Sequence, residues 1–73
     1  MSLVKRVVAY HIARLKDKNP EVRLKAIREL ELLSDPDALE PLQQVFRQDP
    51  NADIRRAAQE AGRKIFLKNN NQT

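Results

Sequence analysis

Few residues in this 73-residue chain could do covalent or acid–base chemistry. There is one histidine, His11, and no cysteine. A metal site needs three or four ligands, and His11 has no second imidazole or thiolate to join it. A nucleophilic role would need Ser2 or Ser34 beside a base, and no motif places either one so. Glu29 and Glu31 stand two apart, which on a helix points them to different sides. Asp35 and Asp37 flank Pro36, where helix capping accounts for both. The single glycine, Gly62, cannot make a phosphate-cradling loop. The expectation is a protein that is not an enzyme, with no catalytic residues, no cofactor and no metal.

Composition narrows the class further. Fourteen basic and ten acidic residues leave a net charge of +4, a weak pull toward acidic partners. Most of these charges alternate at helical spacing, as in Glu21/Lys25, Lys25/Glu29 and Glu60/Lys64, and read as solvated helix faces. Three aromatics, Tyr10, Phe46 and Phe66, are too scattered for a base-stacking platform. The longest uncharged run near the start, "VVAYHIA", is short, contains His11, and is followed by no small-residue cleavage site, so no signal peptide is expected. No segment approaches the ~20 apolar residues of a membrane span. The expected location is cytoplasmic.

The elements that carry these residues are helices. No alternating run marks a strand, and "KDKNP", "SDPD" and "QDPN" each set Asp or Asn beside Pro, the signature of one helix ending and another starting. Four helices are expected. The first spans about Leu3 to Lys16, with Val4, Val8, Ile12 and Leu15 as its stripe; Leu3, Val7 and Tyr10 broaden that stripe into a wide arc. The second spans Pro20 to Leu33, capped by Asn19, with Val22, Ala26, Leu30 and Leu33 inward. The third spans Pro36 to Gln48, with Leu39, Leu42, Val45 and Phe46 inward. Pro41 sits early in it if Asp37 is the cap, and in a kinked interior if Asp35 is. The fourth spans Ala52 to Leu67, capped by Asn51, with Ile54, Ala58, Ala61 and Ile65 inward. Small residues at Ala57, Ala58, Ala61 and Gly62 imply a close neighbouring helix. One domain over 1–68 is expected, with hairpins at 3–33 and 36–67, and a disordered polar tail over 69–73.

The second and fourth helices repeat each other at a spacing of 32: Asn19 on Asn51, Val22 on Ile54, Arg23 on Arg55, Ala26 on Ala58, Leu33 on Ile65. The first and third align more loosely. A helix hairpin of a little over 30 residues, used twice, is a solenoid signature. The segments "NPEVRLKAIREL" and "NADIRRAAQEAG" resemble HEAT repeats, in particular the short bacterial HEAT-like repeats related to those of phycobilisome lyases. Ala52 departs from the family's proline. The first helix, which opens without a cap signal, resembles a divergent terminal repeat. The resemblance implies an all-α fold, a four-helix right-handed α-solenoid of two HEAT-like helix hairpins. It also implies a scaffold role for Arg23 and Arg55, pairing with acids or carbonyls at the turns, with Asp17, Asp49 and Asp53 as candidates.

The face of the second and fourth helices opposite their stripes is the expected inner, concave wall, which in the resembling family is the usual binding surface. Leu24, Arg28, Glu31, Arg56, Gln59 and Arg63 are its candidate contacts. The expected function is a non-catalytic protein–protein interaction or scaffold module holding an acidic or amphipathic protein segment. Nucleic-acid binding through Arg28, Arg56, Arg63 and Lys64 is the alternative, opposed by Glu31 and Glu60 on the same face; an accessory subunit of a lyase-like complex is a third. The surplus apolar width of the first helix acts as a lid over the core or as a patch for association, and the chain is expected to be a monomer or weak homodimer.

Overall fold

The computed structural model describes residues 2–70. Its regular elements are four α-helices: α1 (Leu3–Arg14), α2 (Pro20–Leu33), α3 (Leu39–Gln48) and α4 (Ala52–Asn70), with a 3₁₀ turn at Pro36–Ala38 leading into α3. α1 packs on α2 and α3 on α4, forming two hairpins, and α2 lies against α4 to join them. The all-α arrangement of two stacked helix hairpins is therefore the one the repeat implied.

Local chemistry sets each boundary. The Asn19 side chain accepts from the Glu21 amide at 2.9 Å, and Pro20 opens α2 where its missing N–H costs nothing. α2 ends at Ser34, the one non-glycine residue with positive φ among those described (54°). Its amide donates to the Leu30 carbonyl and its hydroxyl to the Glu31 carbonyl, so the left-handed turn closes the helix end. Asp35 then restarts the chain by accepting from the Asp37 amide at 2.8 Å.

Four expectations about boundaries need correction. α1 does have a cap: the Ser2 hydroxyl accepts from the Lys5 amide at 3.1 Å. α1 also stops at Arg14, because the chain from Leu15 to Asp17 tightens into i→i−3 bonds at its end. Asp35 caps the third segment, yet Pro41 makes no interior kink. The leading turn is 3₁₀, so α3 proper begins at Leu39 and Pro41 falls in its first turn, where an absent N–H is harmless. Finally, α4 runs through Asn70. The Asn69 amide donates to the carbonyls of Ile65 and Ser34, at 2.9 and 3.0 Å, so Asn69 and Asn70 belong to the helix; residues 71–73 of the expected tail lie outside the described residues.

The core gathers Val8 and Leu15 from α1, Ala26, Ile27 and Leu30 from α2, Ala38 and Leu42, and Ile54, Ala58, Ala61 and Ile65 from α4. The expected stripe of α4 is buried in full. In α2, Ile27 is buried where sequence periodicity left it out, while Leu33 is 37% exposed. In α1, Val4 is 56% exposed, and Leu3, Val7 and Tyr10 are exposed with it. α1 thus covers the core with one edge and leaves the other edge of its arc open. Phe46, expected inward, is likewise partly exposed. Gly62 is not a close-approach glycine: a Cβ built there meets nothing within 4 Å.

Candidate protein interface

The two repeat arginines sit at the turns. Arg23 reaches from α2 to the turn before α4, donating through Nε and Nη2 to the Asp49 carboxylate (2.7 and 3.2 Å). Its Nη1 donates to the carbonyls of Asp17 and Lys18, at 2.8 and 3.1 Å. The pair is desolvated, with 12% of the Arg23 side chain and 5% of the Asp49 side chain exposed. A planar fork matched to a buried carboxylate is the setting that suits arginine over lysine. Arg55 repeats the carbonyl half of this arrangement: its Nη1 donates to the Asp49 carbonyl at 2.6 Å. Asp53, one of its candidate partners, instead pairs with Arg56.

A second link joins α1 to the second hairpin. Lys5 Nζ donates to both Asp35 carboxylate oxygens (3.0 and 2.9 Å) and to Asp37 at 3.1 Å. The Lys5 hydrogen bond, helped by the Asp37 amide, holds the Asp35 carboxyl below its ordinary pKa. The same bonds to Asp35 and Asp37 raise Lys5 above its own.

α2 and α4 run side by side, and the six candidate contacts expected on their concave wall lie toward the solvent-facing side of the pair. Arg28, Arg56, Gln59 and Arg63 are exposed; Leu24 and Glu31 are half-buried. Glu31 meets Lys64 across the seam at 3.2 Å. Arg63 pairs with Glu60 at 3.2 Å, and Arg56 with Asp53. Most of the cations on this face are therefore already matched by acids. Leu32 stands 77% exposed at its edge. Lys64, absent from the six candidates, makes the ion pair between α2 and α4 on this face.

This is a helical repeat with an arginine at the same place in each unit, and the first of them, Arg23, joins one turn to the next. The family model for HEAT repeats matches residues 4–63. The chain belongs to the HEAT-repeat family. That match is to HEAT repeats in general and does not single out the lyase-type repeats. No curated protein and no solved structure matches the chain. HEAT repeats generally serve as scaffolds for protein interaction.

Two features of this HEAT protein were not foreseen. A cleft of about 400 Å³ opens between the two hairpins, where Ile12 and Leu15 of the first face Pro41 and Val45 of the second. A groove of about 330 Å³ lies along the far side of the second hairpin, floored by Leu42 and Ala58 and edged by Leu39, Phe46, Gly62 and Phe66. Gln59 and Arg63 stand on the rim of that groove as well as on the shared face. Phe66 carried the only available sequence signal, an aromatic off the α4 stripe. His11 is half-buried, and its Nδ1 is buried with no hydrogen-bond partner among the described residues. Among the described residues no group of three or more His, Cys, Asp or Glu side chains could hold a metal, and no helix is long and apolar enough to cross a membrane.

Proposed function

We propose that this HEAT protein is a non-catalytic interaction module of the cytoplasm that binds an acidic or amphipathic protein segment across the outer face of α2 and α4. The observation that carries this reading is the pairing of α2 with α4 into one continuous surface, spanned by Glu31–Lys64 and flanked by exposed Arg28, Arg56, Gln59 and Arg63. Half-buried Leu24 adds an apolar contact. The charge pattern favours a protein over a nucleic acid. Arg56, Arg63 and Lys64 each have an acidic neighbour, and a phosphate backbone would have to displace Asp53, Glu60 and Glu31 to reach them.

Affinity capture from cell extract with wild type and with Arg28→Glu/Arg56→Glu tests the assignment. Both positions are exposed and neither belongs to the core, so the variant folds. Loss of a captured protein in the variant supports the face; undiminished capture removes it. A salt-sensitive mobility shift of labelled duplex or single-stranded oligonucleotide would replace this reading with the nucleic-acid one.

A further inference from the structure

Positions equivalent by the 32-residue repeat differ in burial in a directed way. Ile54, Ala61 and Ile65 of α4 are buried, while their counterparts Val22, Glu29 and Leu33 of α2 are half-buried or exposed. Ile27 and Leu30 of α2 are buried, while their counterparts Gln59 and Gly62 of α4 are not. The first set faces back along the stack and the second faces forward. Among the described residues, hairpin two is covered behind, hairpin one is covered in front, and the two remaining faces are open.

Those open faces are the two halves of the interface that already joins the hairpins. The forward face of hairpin two is the groove of Leu39, Gln43, Phe46, Gln59, Gly62 and Phe66, with Phe66 52% exposed. The backward face of hairpin one carries Leu3, Val7 and Tyr10 on α1. At ~100° per residue this row lies roughly opposite Lys5 and Ile12, the residues that look toward hairpin two. Val22 and Leu33 of α2 continue it.

The arginine staple is divided in the same way. Within the chain, Arg23 holds the carbonyl of Asp17 behind it and the carboxylate of Asp49 in front. Arg55 holds the Asp49 carbonyl behind it, and its Nε and Nη2 have no carboxylate among the described residues. Asp17 is the counterpart of Asp49. One of its oxygens accepts from the Asn19 amide at 2.9 Å, as Asp49 accepts from Asn51 at 2.9 Å, and it makes no ion pair among the described residues. One end of the molecule offers the arginine and the other end the acid it lacks.

We propose that the occupant of the α3–α4 groove is hairpin one of a second copy of this chain, docked head-to-tail in the geometry of the internal hairpin contact, with Arg55 of one copy on Asp17 of the next. Such a contact is heterologous and does not close, so it builds open stacks of no fixed size. It is weaker than the internal contact. Gln59 and Gly62 stand where that contact has Ile27 and Leu30, and the Glu31–Lys64 pair is replaced by Arg63 against Leu32. Stacking therefore emerges with concentration.

The test is sedimentation velocity on the full chain from micromolar to millimolar concentration at moderate salt. The average mass rises steadily past that of a dimer. Asp17→Asn keeps the turn-closing oxygen but loses the charge, and weakens association about tenfold. Gly62→Glu fills the groove at a position with free space, and Tyr10→Glu charges the opposite face; circular dichroism shows both folded, and each alone stays a single chain. Their equimolar mixture has one usable groove and one usable face, and forms a dimer and nothing larger. A wild type that remains a single chain at millimolar concentration overturns the proposal. So does association that survives both blocking substitutions, or a mixture that fails to pair. Arg28→Glu/Arg56→Glu leaves stacking unchanged, which separates this surface from the α2–α4 face.

Discussion

Arg23 is the residue through which one hairpin holds the other. Its side chain is almost wholly out of water, and so is that of the Asp49 it grips. Removing one member of such a pair strands the other as an unpaired buried charge, which typically costs about 3–5 kcal/mol. A domain of this size holds only roughly 4–11 kcal/mol in all. Arg23→Met should therefore lower the unfolding free energy by about 3 kcal/mol in urea denaturation, toward the low end of that range. Adding Asp49→Asn should recover much of the loss. The amide oxygen still closes the turn to Asn51, and no charge remains to be buried. If the double variant is no better than the single one, the weight falls on the Arg23 bonds to the carbonyls of Asp17 and Lys18. The resemblance to HEAT repeats made this arginine legible as scaffold. It could not show that the acid in question was Asp49, because a turn 26 residues away has to fold back to supply it.

Among the elements, α2 was readable to its last residue because both its ends are written locally, in Asn19-Pro20 and in the turn at Ser34. α4 overran its expected end because the partner that holds Asn69, the Ser34 carbonyl, lies 35 residues back along the chain. α1 shows the limit of periodicity: a broad apolar arc says that a helix is covered, not from which side. The Val4 side stayed open and the Ile12 side closed. The outer face of α2 and α4 was legible as exposed and charged, whereas the α3–α4 groove was not, since it exists only where two helices leave a gap. Beside the shared core, Lys5 on Asp35 and Asp37 links α1 to the far hairpin, and this link has a definite pH window. Asp35, its pKa lowered in the folded chain, contributes stability above the ordinary carboxylate value and loses it as pH falls through the lower folded value. Lys5, its pKa raised, contributes below the ordinary lysine value and loses it as pH rises past the higher folded one. The melting-temperature gap between wild type and Lys5→Met should thus be widest between about pH 4 and pH 10.5 and narrow on both sides. A gap that is flat across the acid limb would mean the ion pair contributes nothing to holding α1.

At the scale of the whole molecule, neither hairpin owns its core. Ile27 and Leu30 of the first are buried because the second lies over them, and Ile54, Ala61 and Ile65 of the second because the first lies behind. In a longer solenoid such coupling runs along a line of repeats and can break in the middle. With two repeats there is one shared seam, and α1, at 12 residues, is too short to persist alone in water. The chain should therefore unfold as one unit. Tyr10, the only tyrosine, lies on α1 at one end, and Ile65, fully buried on α4, belongs to the other hairpin. Ile65→Ala leaves a hole and should cost about 2–5 kcal/mol. The telling comparison is between probes: tyrosine fluorescence reports hairpin one, and far-ultraviolet circular dichroism reports all four helices. Both transitions should move to lower denaturant by the same amount and stay superimposed. A tyrosine transition left in place while the helical signal shifts would show two hairpins that merely touch, and a core divided where the side chains of Ile27, Leu30 and Ile65 say it is continuous.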